Sequence, residues 1–135
     1  MTYLLDTSTC VGILRGRAPK ARARLDQLGK NECAICSIVL LELRAGALKS
    51  QNPIRETAKV DEFLREMNSF QFDDECANLA SEIRGNLEKR GVPIGPFDLL
   101  IAGIARRHGS IVVTRNIGEF SRVPNLHVED WELEP

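Results

Sequence analysis

Three carboxylates in this sequence of 135 residues stand where an ionised acid is out of place. Asp6 ends the apolar run Tyr3-Leu4-Leu5, Glu42 interrupts Ile38-Val39-Leu40-Leu41-Glu42-Leu43, and Asp98 interrupts Phe97-Asp98-Leu99-Leu100-Ile101. An isolated charge in apolar surroundings costs several kcal/mol, so such groups are protonated, paired with a base or bound to a cation. Arg44 is the nearest base to Glu42 in sequence, but two residues along a helix it points elsewhere. No lysine or arginine stands at pairing distance in sequence from Asp6 or Asp98. One hard divalent cation would satisfy all three, and oxygen donors without histidine or cysteine favour Mg²⁺ or Mn²⁺ over zinc. Asp6, Asp98 and Glu42 are therefore the candidate metal set. Because Mg²⁺ takes only one or two carboxylates directly and keeps several waters, a remaining acid, Glu42 or Glu119, is free to orient or deprotonate a bound water. That arrangement suits in-line hydrolysis of a phosphodiester, in which the metal lowers the pKa of the attacking water and neutralises charge on the phosphate.

The elements that must bring these acids together follow from the hydropathy pattern. Tyr3 to Leu5 reads as a central buried strand of a parallel sheet, since a continuous apolar run suits a strand covered on both faces. Ser8 is the expected cap of a short helix to Arg15, ended by Gly16, and Pro19 opens a second helix, Lys20 to Leu28, closed by Gly29. Cys33 to Cys36 reads as a second strand, with Ser37 capping a helix over Ile38 to Leu48. Asn52-Pro53 starts an amphipathic helix through Val60, Phe63, Leu64 and Met67, Phe70 to Phe72 alternates like a brief strand, and Asp73 and Asp74 cap the next helix. Those two aspartates have a capping explanation and stay out of the site. Pro96 fits the first position of a helix over Phe97 to His108, where the dipole by itself favours an acid by about 0.3 to 1 kcal/mol. Such a dipole explains a surface aspartate better than one between Phe97 and Leu99. Ile111 to Thr114 reads as a fourth strand and Leu126 to Val128 as a last one, before an acidic tail around Trp131 expected at an edge or interface. Strands alternating with helices predict one domain, residues 1–135, of three-layer α/β/α build with a mostly parallel central sheet. Right-handed crossovers would set the C-terminal strand edges along one side, with Asp6 and Asn116 directly after their strands and Glu42 and Asp98 in helices starting there.

Bulk properties exclude several classes. Aromatic residues make up only 5%, poor for a reader of RNA sequence built on stacking platforms. A net charge of −1 neither announces nor forbids a nucleic-acid partner, since buried acids would mask a local basic surface such as the run Arg15, Arg17, Lys20, Arg22 and Arg24. That run reads equally as a solvated helix face or as a phosphate-contacting rim. Cys33 and Cys36 form a Cys-x-x-Cys, but within a strand their spacing turns the thiols to opposite faces, and no second pair or histidine completes a metal set. All four cysteines are expected as reduced thiols. No apolar stretch reaches membrane-spanning length and no signal peptide opens the chain, so a cytoplasmic protein with no membrane association is expected.

Four segments together resemble the PIN-domain ribonucleases, and within them the VapC toxins of bacterial toxin–antitoxin pairs. They are Tyr3-Leu4-Leu5-Asp6-Thr7-Ser8, Ser37 to Gly46, Ile94-Gly95-Pro96-Phe97-Asp98-Leu99-Leu100-Ile101-Ala102, and Val113-Thr114-Arg115-Asn116-Ile117-Gly118-Glu119-Phe120. Each is weak by itself; in this order and spacing they are specific, and they cover nearly the whole chain. The resemblance implies a Mg²⁺-dependent endoribonuclease with Asp6 and Asp98 as metal ligands and Glu42 beside them. It also implies a homodimer, an antitoxin that blocks the site, and structured RNA, first of all tRNA, as substrate, with Arg115 and Arg122 joining the basic run on phosphates. Many PIN domains carry a fourth acid, an aspartate, directly after the fourth strand, where this chain has Asn116. Either Glu119 supplies that carboxylate or Asn116 hydrogen-bonds a water. Two other readings fit less of the pattern. A receiver-type phosphoacceptor would want a carboxylate pair after the first strand and a lysine after a late one, where this chain has Asp6 alone and Arg115. A non-catalytic PIN-like binding module would not need Asp6, Glu42 and Asp98 all retained.

Overall fold

A computed structural model describes residues 2–29, 31–65 and 67–133 of the chain. Five strands, β1 (Tyr3–Leu5), β2 (Cys33–Cys36), β3 (Asn68–Phe70), β4 (Ile111–Val113) and β5 (Val128–Glu129), form one sheet in the order β3-β2-β1-β4-β5. Every pairing is parallel, with Leu4 opposite Ala34 on one side and Val112 on the other. Helices flank the sheet to give the three-layer α/β/α build. Leu4, Leu5, Ala34, Ile35, Val112 and Val113 are all buried, which is why the central strands are apolar on both faces. From β1 the chain adds β2 and β3 on one side, then crosses to add β4 and β5 on the other. The reversal lies between β1 and β4, and the crevice above their C-terminal ends is where such sheets bind ligands.

Around this sheet run α1 (Thr7–Leu14), α2 (Pro19–Gln27), α3 (Ser37–Lys49), α4 (Pro53–Leu64), α5 (Asp74–Lys89), α6 (Pro96–His108) and the single turn α7 (Ile117–Phe120). Several starts and stops are those the sequence implies: the Asn52 side chain caps α4, Asp73 caps α5, and Gly109 ends α6 in the left-handed region at φ 62°. α5 and α6 pack so closely that a Cβ on Gly103 would lie 2.9 Å from the Ala80 Cβ.

Other expectations need correction. Ser8 does not cap α1; the cap is Asp6, whose carboxylate accepts from the Thr9 amide. Ser37 is the first residue of α3 and not its cap, because its hydroxyl is turned to the Phe72 amide. Helix α2 stops at Gln27, capped by Leu28 rather than closed by Gly29. The third strand lies two residues earlier than the alternation of Phe70 to Phe72 suggests, since pairing with Ala34 to Cys36 sets its limits. The fifth begins only at Val128, where its pairing with Val112 and Val113 starts. Trp131 follows the edge strand β5 and is buried there, edge-on to Tyr3, with the Arg24 guanidinium 5.3 Å from its ring. The last two residues of the acidic tail, 134 and 135, lie outside the described residues. Cys33 and Cys36 are both buried, as are Cys10 and Cys76, and all four are free thiols.

Candidate active site

Asp6 leaves β1 at the switch point and does two jobs in one rotamer. One carboxylate oxygen accepts from the Thr9 amide at 3.0 Å and the Ser8 hydroxyl at 2.8 Å; the other accepts from the hydroxyl of Thr114, the residue that follows β4. Thr114 is fully buried and itself accepts from the Asn116 amide at 2.8 Å, so it ties the ends of the two neighbouring strands together through Asp6. Burial pushes the Asp6 carboxyl up from its ordinary value, while the hydrogen bonds from Thr114, Thr9 and Ser8 pull it back.

Glu42 projects from the second turn of α3 toward α1, where the Thr7 hydroxyl donates to it at 2.6 Å. Its sequence neighbour Arg44 is committed elsewhere, in an ion pair with Asp61 of α4. Asp98 sits in the first turn of α6, next to Glu119 of α7, whose charge acts on it. The Asn116 side-chain amide bridges them, 3.3 Å from Asp98 and 2.8 Å from Glu119. Burial, then the charge and hydrogen bond of Glu119, then the charges of Asp6 and Glu42 push the Asp98 carboxyl up to about 7. Glu119 moves the other way: the Gly95 amide donates to it and holds it below the usual range, with Asn116, Asp98 and Arg122 acting in the same sense. A side chain on Gly95 would crowd this pair, its Cβ lying 3.3 Å from the Glu119 carboxylate and 3.8 Å from that of Asp98.

All five residues singled out in sequence thus meet on one side of the sheet. Asn116 and Glu119, the two candidates for the fourth position, lie together, the Asn116 side chain donating to both Glu119 and Asp98. Thr7, Thr114 and the Gly95 amide complete the site without having announced themselves; Thr114 at a strand end was the one available signal. The basic run divides. Arg22 pairs with Asp26 and Arg24 lies over Tyr3 and Trp131, whereas Arg15 and Arg17 line a cleft of about 490 Å³ between α1, α3 and α4 that reaches Glu42 and Lys59.

The sequence model of the PIN domain family matches residues 3–126. The tRNA(fMet)-specific endonuclease VapC of Salmonella typhimurium is 37% identical over 131 residues, 97% of this chain and 98% of that one. Ribonuclease VapC2 of Rickettsia felis is 40% identical over 133 residues, 98% of this chain and 99% of its own. This chain belongs to the PIN-domain family, among the VapC ribonucleases. The VapBC2 complex of Rickettsia felis bound to a promoter DNA fragment superposes with a TM-score of 0.91 at 39% identity, covering 97% of this chain and 99% of that one. The DNA-bound VapBC complex of Salmonella typhimurium gives the same TM-score at 37% identity, with 97% and 98% covered. As a VapC-type PIN domain the protein is a ribonuclease of the toxin class.

A divalent ion fits this PIN domain by the chemistry of its donors: carboxylate oxygens with no base among them, pressing on one another enough to lift Asp98 to about 7. Among the described residues no three acid side chains converge on one point at ligand distance, because Glu42 is turned to Thr7 and Glu119 to Gly95 and Asn116.

Proposed function

We propose that this VapC-type chain is a Mg²⁺-dependent endoribonuclease that hydrolyses phosphodiester bonds of tRNA, works as a homodimer, and is held inactive by a cognate antitoxin. The observation that carries the reading is the gathering of Asp6, Glu42, Asp98 and Glu119 at the switch point with their repulsion lodged on Asp98. Asp6 and Asp98 would hold the ion, with Glu42 beside them and Mn²⁺ an acceptable substitute. When bound, the ion lowers the pKa of the attacking water and offsets charge developing on the phosphate.

The chain's own residues do the rest. Thr114, Ser8 and the Thr9 amide fix the Asp6 carboxylate in one orientation, and Thr7 does the same for Glu42. The Asn116 side chain donates to both Asp98 and Glu119, and the Gly95 amide holds the Glu119 carboxyl below its usual range, so that Glu42 and Glu119 are the acids left to orient the water and accept its proton. Arg15, Arg17 and Lys59 offer phosphate contacts along the cleft that ends at Glu42. With so few aromatic residues, selectivity rests on RNA shape rather than base readout. The name of the Salmonella relative supports tRNA as the substrate class, and the VapBC complexes among the structural relatives support an antitoxin partner. Exposed Leu41 and Leu48 on α3 offer apolar surface for such protein contacts. Among the described residues no helix is long and apolar enough to cross a membrane.

The test is cleavage of total tRNA by purified, antitoxin-free protein with Mg²⁺ or Mn²⁺ and with EDTA, alongside Asp6→Ala. Discrete fragments requiring both the metal and Asp6 are expected. Cleavage that survives EDTA or the substitution would overturn the assignment.

A further inference from the structure

Arg115 is the one basic side chain in the loop from β4 to α7, and its backbone is locked to the acid centre: its amide donates to the Ser8 hydroxyl at 3.1 Å, and that hydroxyl donates to Asp6. The guanidinium nevertheless does not neutralise the acids. It is drawn along the C-terminal edge of the sheet to Asp130, the residue after β5, with Nε 3.4 Å from the carboxylate. The two partners are unequal. The Asp130 side chain is 7% exposed and fixed by the Glu132 amide at 2.9 Å, whereas the Arg115 side chain is 47% exposed. The terminal nitrogens of Arg115 make no hydrogen bond among the described residues. A buried, anchored carboxylate thus holds an arginine by its inner nitrogen and leaves the outer fork without a hydrogen bond on a half-exposed side chain, whose backbone is tied to Asp6 through Ser8. A planar fork of that kind matches two phosphate oxygens.

We propose that Arg115 binds a backbone phosphate of the RNA next to the one being cleaved, and that Asp130 is the positioning residue that aims it. This rests on the nuclease reading above and adds a fixed point on the β4–β5 side of the acids, opposite the cleft of Arg15 and Arg17. The pairing also keeps Arg115 from folding back onto Asp6 and Asp98 and competing for their charge.

The decisive experiment is binding of fluorescently labelled bulk tRNA to the full chain in EDTA, where the metal-dependent cleavage does not run, followed by anisotropy across a salt series, with single-turnover cleavage of the same RNA in Mg²⁺. Arg115→Gln should weaken binding several-fold and lower the slope of log K against log salt by about 1, the signature of one lost phosphate contact. Arg115→Lys should keep the slope and lose part of the affinity. Asp130→Asn is the sharper case, since the amide still accepts from Glu132 and the fold is undisturbed. Bulk electrostatics makes this loss of a negative charge tighten RNA binding; positioning makes it weaken binding, with the cleavage rate of bound RNA unchanged and no further loss on adding Arg115→Gln. Binding by Asp130→Asn as tight as wild type or tighter, or an unchanged salt slope in Arg115→Gln, would overturn the proposal while a cleaving wild type leaves the nuclease reading intact. A wild type that neither binds nor cuts RNA overturns both.

Discussion

A carboxylate inside an apolar run has no local explanation, which is why Asp6, Glu42 and Asp98 were legible in the sequence. Thr7, Thr114 and Gly95 were not, since hydroxyl groups and a glycine amide acquire meaning only from partners far along the chain: Thr7 bonds Glu42 and Thr114 bonds Asp6. Their weight can be measured. Thr114→Val removes a fully buried hydroxyl that donates to one Asp6 oxygen and accepts from the Asn116 amide, so that oxygen and that amide lose their bond to it. A loss of about 1 to 3 kcal/mol in urea unfolding is expected, together with reduced cleavage. Asp98 gives a test in pH. Its carboxyl is pushed up to about 7 from an ordinary value of 3.8, so the cost of ionising it in the fold is absent below pH 4, grows between 4 and 7, and is complete above 7. Asp6, also raised, adds in the same sense; Glu119, lowered from 4.5, acts oppositely and only below that value. In EDTA the protein should therefore lose stability as pH rises from 4.5 to 7.5, and Asp98→Asn should flatten that fall and melt higher than wild type at pH 7.5. An equal slope in the two proteins would contradict the assignment of the shift to Asp98.

Among the elements, the helices were legible and the edge strands were not, for a physical reason. Helices such as α5 carry their own signals, an Asp73 cap and a buried stripe of Cys76, Ala80, Ile83 and Leu87, and hold the same limits wherever they pack. Strands of two or three residues are bounded by their partners' register, so β3 and β5 slid from the segments that alternation picked out. Packing between elements is hidden in the same way. Gly85 and Gly103 look alike in sequence, each inside a helix. Gly103 has the Ala80 Cβ and the Cys76 carbonyl 2.9 Å from where its own Cβ would be, whereas Gly85 has nothing within 4 Å. One substitution should then have opposite signs at the two positions. Gly103→Ala must force α5 and α6 apart and cost about 1 to 3 kcal/mol, while Gly85→Ala should gain about 0.5 to 1 kcal/mol from reduced backbone entropy. Urea midpoints of the two variants decide the matter, and a stabilised Gly103→Ala would mean the helices are not in contact there.

For the molecule as a whole, the parallel sheet determines that the acids share one edge, and their mutual repulsion becomes a property of the entire fold. A ligand that binds only the folded chain raises its stability by RT ln(1 + [L]/Kd), about 2.7 kcal/mol at a hundredfold excess over Kd. At this chain length that corresponds to a rise of roughly 6 to 12 °C in melting temperature. Protons and metal compete for the same carboxylates, so the rise produced by Mg²⁺ should be largest near pH 8, where Asp98 is ionised, and should shrink toward pH 5, where it is protonated. Asp6→Asn and Asp98→Asn should each lose most of the Mg²⁺ effect, while Arg22→Gln, on the far part of the basic run with Asp26, should keep it. The comparison separates binding at the acids from a general effect of ionic strength, because NaCl at matched ionic strength screens surface charge equally in all four proteins. A Mg²⁺ shift that is the same in wild type and Asp6→Asn, or that grows on acidification, would place the ion elsewhere and remove Asp6 and Asp98 from its coordination.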